Sequence, residues 1–90
     1  MVTAMDSTEF NQLTRMVIGR LLPKVSGERE AAFILRSAQA GEPGVALTEL
    51  AAILVEDQTS VTEADRDDLR RLLADLGEPV SDADRLNVYS

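Results

Sequence analysis

The sequence predicts an all-α fold, a small bundle of four helices with a short C-terminal tail, over one domain spanning residues 1–90. Three observations carry that expectation. Apolar residues recur at helical spacing in four segments. Each segment is bounded by residues that cap or break helices. The aliphatic supply is ample, with twelve Leu, eight Val, three Ile and eleven Ala in 90 residues. A chain of this length buries roughly 65% of its unfolded surface, enough for a three- or four-helix core but not for a deep substrate cavity as well.

The first helix is predicted over Thr8 to Leu22, after a frayed lead-in at residues 1–5 and a cap from Asp6 or Ser7. Phe10, Leu13, Val17 and Leu21 share one face, which Ile18 and Leu22 widen. Gly19 interrupts it at a cost of about 1 kcal/mol relative to Ala, unless a neighbouring helix comes close there. Pro23 ends it, because the residue before a proline is pushed out of the helical region. The second helix is expected from about Gly27 to Ala40, capped by Ser26, with Ala31, Ile34, Leu35 and Ala38 inward and Gly41 in the left-handed closing position.

The third helix is predicted from Pro43 to Val55, with Leu47, Leu50, Ala51 and Leu54 inward. Glu42, Glu49 and Glu56 lie seven residues apart, which at 100° per residue keeps them within about 40° of one another on one flank. A turn over Asp57 to Val61 leads to Thr62, whose hydroxyl suits the cap of a fourth helix over Glu63 to Leu76. Leu69, Leu72, Leu73 and Leu76 face inward there, and Gly77 and Pro79 end it. Asp67 with Arg71 and Arg71 with Asp75 are at i, i+4 spacing, and Asp68 and Asp75, seven apart, are expected to present free carboxylates on the other flank. The tail from Pro79 begins another turn at Ser81 or runs extended through Leu86, Val88 and Tyr89, docked on the bundle.

The net charge of −7 is unevenly placed. Residues 1–41 hold four acids and five bases, whereas residues 42–90 hold twelve acids and four bases, so the balance shifts from +1 to −8. Such a field repels nucleic acid and anionic lipid and speeds encounter with basic proteins, so neither nucleic acid nor membrane is an expected partner. With no Cys there is no disulfide framework or thiolate metal site, and with no His the commonest general base and zinc ligand are missing. No signal peptide or membrane span is read, and the cytoplasm is the expected compartment.

The densest local feature is six acids, Glu56, Asp57, Glu63, Asp65, Asp67 and Asp68, against Arg66 alone. They form either a surface for a basic partner or an ordinary solvated turn with acids at a helix start. A calcium loop is not supported, since EDQTSVTEADRD lacks the central Gly of an EF-hand. An acyl-carrier role lacks its serine, because Asp6-Ser7 precedes the first helix and is followed by Thr8. Exposed carboxylates that merely neighbour one another in sequence do not acquire catalytic pKa values. With no phosphate loop, metal-ligand spacing or nucleophile elbow, the expectation is a protein that is not an enzyme and takes no cofactor or metal.

Residues Gly41-Glu42-Pro43-Gly44-Val45-Ala46-Leu47, followed by Leu50, Leu54 and Glu56, carry a family resemblance. Over roughly residues 26–78 the chain resembles the MafI-type immunity proteins, in which a helix ends at Gly-Glu, the next opens on Ala-Leu, and a Thr- or Ser-capped helix follows the loop. Pro43 and the scarcity of aromatic residues depart from that pattern. The resemblance implies a one-to-one inhibitor of a polymorphic toxin domain delivered by contact-dependent growth inhibition or a related route. Its partner-binding residues would be Glu42, Glu49, Glu56, Asp57, Glu63, Asp65, Asp68 and Asp75, covering the substrate groove or active site of a basic nuclease. The competing expectation is a helical adaptor or regulatory domain that pairs with a transcription or signalling protein through an apolar groove.

Overall fold

The computed structural model describes residues 5–89, so the lead-in expected at the N-terminus lies, except for Met5, outside the described residues. Helices α1 (Ser7–Leu21), α2 (Glu28–Gln39), α3 (Pro43–Glu56) and α4 (Glu63–Asp75) make the bundle, and a short turn of 3₁₀ helix at Leu22–Lys24 joins the first two. The chain then adds a brief α5 (Ser81–Asp84) and pairs two short strands, β1 (Ser60–Val61) and β2 (Asn87–Val88). The body measures 35 × 32 × 19 Å, about two helix diameters in its thin direction.

The helices start and stop where local chemistry directs. Asp6 caps α1, accepting from the Glu9 amide at 2.8 Å, and Thr62 caps α4, accepting from the Asp65 amide at 3.0 Å. For α2 the expected Ser26 cap is not used. Gly27 holds the N-cap position with no side-chain cap, and the Glu30 carboxylate folds back over it. The reason is registry: only the residue at the helix boundary can reach the open amides of the first turn, and Ser26 lies one position too early.

Helices α2, α3 and α4 all close with the same pair of backbone bonds. After α2 these run from Glu42 to Ser37 and from Gly41 to Ala38, with Gly41 at φ +77°. After α4 they run from Glu78 to Leu73 and from Gly77 to Ala74, with Gly77 at φ +74°. After α3 they run from Thr59 to Leu54 and from Gln58 to Val55, and there the left-handed position, φ +55°, is held by Gln58. A side chain with a Cβ is strained in that conformation.

One continuous core forms where the four long helices meet, with Val17, Leu21, Ile34, Leu47, Leu50, Leu54, Leu69, Leu72 and Leu73 almost wholly buried. The inward stripes follow the sequence periodicity except in α2. There Leu35, expected inside, is 42% exposed, and Ser37 is buried instead. The α2 face that meets the core is centred between Ile34 and Ala38, so Leu35 falls on its edge.

The tail does both things the sequence allowed, a helical turn and then an extended run. Strand β2 pairs in parallel with β1, Ser60 opposite Asn87 and Val61 opposite Val88, and the Tyr89 amide donates to the Val61 carbonyl at 3.0 Å. Ala83 and Leu86 are buried beneath this clasp. Further polar contacts hold it, Asn87 Nδ2 donating to the Gln58 carbonyl at 3.2 Å and Lys24 Nζ donating to the Tyr89 hydroxyl at 2.9 Å. Among the described residues no helix is long and apolar enough to cross a membrane.

Candidate protein-binding surface

The eight candidate carboxylates separate by helix. Those on α4, Glu63 apart, are engaged within the molecule. The Arg20 guanidinium of α1 bridges two of them, its Nε lying 2.8 Å from Asp65 and its Nη2 3.0 Å from Asp68. Asp65 is buried, its side chain 8% exposed, and Arg20 supplies the opposite charge beside it. Asp75, expected to be free, accepts from the Met5 amide at 3.3 Å. The pairs expected along α4 do not form: Asp67 pairs with Arg66 at 3.2 Å, and Arg71 makes no ion pair among the described residues. Arg70 reaches across to Asp84 on α5 at 2.8 Å. The α4 pairs to Arg20 and Asp84 thus run to other helices and not along α4 itself.

The carboxylates of α3 and of the turn behind it have a different environment. Glu42, at the N-cap, and Glu56, at the last helical residue, are exposed, and Glu49 between them is half-buried. Successive members lie about 10 Å apart along the axis. Together with exposed Asp57, none of them makes an ion pair or side-chain hydrogen bond among the described residues. Among the described residues Glu63 has only Arg66 as an ion-pair partner, at 4.0 Å. From Ser37 to Asp65 the chain contains no Lys or Arg.

Position sharpens the contrast. Glu63 and Asp65 stand in the first turn of α4, where the positive end of the helix dipole favours them. Glu56 and Asp57 stand at the opposite kind of end, the last residue and C-cap of α3, with no base in that last turn. Negative charge there is unfavourable by roughly 0.5 kcal/mol per group. Folding therefore gains nothing from these two carboxylates. A basic surface laid against them would neutralise both the side chains and the helix end.

A second feature escaped sequence reasoning. A trough of about 690 Å³ runs between α1 and α2, walled by Ile18, Gly19 and Leu22 on one side and by Leu35, Ala38 and Pro43 on the other. Two sequence signals pointed to it: a glycine within α1 and a leucine on the edge of the α2 stripe. Among the described residues no cluster of three or more carboxylates could hold a metal ion.

Comparison of the chain with protein-family models, with curated proteins and with solved structures found no match.

Proposed function

We propose that this protein is an immunity protein that binds a cognate bacterial polymorphic toxin domain one-to-one and neutralises it, the toxin being a basic, nuclease-type domain. Binding, and not catalysis, is its role. The observation that carries the reading is the unneutralised carboxylate line of α3, ending in Glu56 and Asp57 against the helix dipole. Groups that weaken the fold slightly and have no ion-pair partner among the described residues suit an outside cation. The resemblance of residues 26–78 to MafI-type immunity proteins supplies the kind of partner. On this reading Glu42, Glu49, Glu56, Asp57 and Glu63 meet the toxin, while Asp65, Asp68 and Asp75 are held by Arg20 and the Met5 amide. Exposed charges of this sort govern mainly the rate of encounter, and affinity comes from a few desolvated anchors among them.

The test is binding to the product of the neighbouring gene, where a cognate toxin would be encoded. A one-to-one complex is expected, with an association rate that falls steeply as salt rises. The Glu56→Lys/Asp57→Lys variant should slow association about tenfold or more while its thermal stability holds or rises slightly. Absence of binding to a toxin-like neighbour would sink the immunity reading. Binding that kept its rate and salt dependence in the variant would remove the α3 line from the interface.

A further inference from the structure

We infer that the trough between α1 and α2 is a docking site for an acidic amphipathic helix of a partner protein, a surface distinct from the α3 carboxylates and independent of the immunity reading. Its shape argues for a helix. The α1 wall is made by Asn11, Thr14, Arg15, Ile18, Gly19 and Leu22, recurring at i, i+3/4, i+7/8 and i+11. That is three turns of one helical face, about 16 Å long, which matches the length over which a grooved helix presents its anchors.

Gly19 indicates how close the occupant comes. It sits inside α1, exposed, and a Cβ built on it meets no atom within 4 Å. No neighbour within the chain therefore accounts for the missing side chain, which destabilises a helix interior. A bare backbone on the trough wall lets a second helix approach closely. Thr14 adds a second unexplained group: it is buried, 7% exposed, and its hydroxyl has no hydrogen-bond partner among the described residues. A buried polar group is ordinarily paired.

Charge selects the sign of the partner. Arg15 is the single charged residue lining the trough, no carboxylate lines it, and Arg15 makes no ion pair among the described residues. A guanidinium beside an apolar groove favours a helix that flanks its apolar anchors with Glu or Asp.

The test uses the intact isotope-labelled protein and two stapled three-turn peptides. Both carry Leu at i, i+4 and i+7, one with Glu on its flanks and the other with Lys in their place. Titration followed by amide chemical shifts should move signals from Thr14 to Leu22 and from Leu35 to Gly41 with the Glu peptide, with the Lys peptide about tenfold weaker. Gly19→Leu should abolish that binding and Arg15→Ala should weaken it severalfold. Both positions are exposed, so both variants should fold. Equal affinity for the two peptides, shifts confined to other faces, or unchanged binding by Gly19→Leu would overturn the proposal. So would concentration-dependent shifts of the trough without peptide, which would make a second copy of this chain the occupant.

Discussion

Helices α3 and α4 carry the same kind of side chain at the same spacing and use it in opposite ways. Asp68 and Asp75 on α4 are seven apart, as are Glu42, Glu49 and Glu56 along α3. On α4 the carboxylates meet Arg20 and the Met5 amide. Along α3 they make no ion pair or side-chain hydrogen bond among the described residues. The difference is in what packs alongside: α4 lies against α1, which brings Arg20 to it, whereas α2, packed on α3, brings no base into an ion pair with the α3 carboxylates among the described residues. Acid count and spacing are thus a poor guide to function until the positions of the bases are known.

The comparison is most easily broken at Asp65. Asp65→Ala should lower stability by about 2 kcal/mol, since it removes the buried half of an ion pair and leaves Arg20, itself 43% exposed, only partly compensated by Asp68. Urea unfolding measures this. The Arg20→Ala/Asp65→Ala double variant should cost clearly less than the sum of the single ones. A change as small for Asp65→Ala as for Glu49→Gln would erase the distinction between the two helices.

Smaller effects sharpen it. Gly19→Ala should raise stability by about 0.9 kcal/mol, read from the thermal midpoint, because open space surrounds the added methyl. Gln58→Gly should raise it by about 0.7 kcal/mol, relief of left-handed strain exceeding the added chain entropy. Last comes Glu56→Gln, expected to stabilise the fold by about 0.5 kcal/mol while it weakens attraction to a basic partner. Opposite signs from one substitution would separate a binding role from a structural one; a loss of stability would count against the account of the α3 terminus.

Much of the fold was legible. Four helices, their glycine closures at Gly41 and Gly77, the caps at Asp6 and Thr62, and the leucine seam all follow from short-range rules, since each depends on residues within about one turn. The failures have two sources, local register and packing between distant segments. Ser26 was one residue out of register, Leu35 lay at the edge of a stripe whose centre is set by the packing of α2 on α3, and Asp68 and Asp75 found partners 48 and 70 residues away. The β1–β2 clasp joins segments 27 residues apart, each too short to carry a pattern of its own.

The sequence by itself determined the helices, their ends and the apolar faces that must be hidden, because these depend on local conformational preference and periodicity. It also determined that the acid excess lies in the second half. Only the tertiary structure decided which carboxylates remain unneutralised, where Gly19 and Leu35 open a trough, and how the tail is clasped. Those outcomes depend on which helices become neighbours, and a charge is free or paired according to what stands beside it in space.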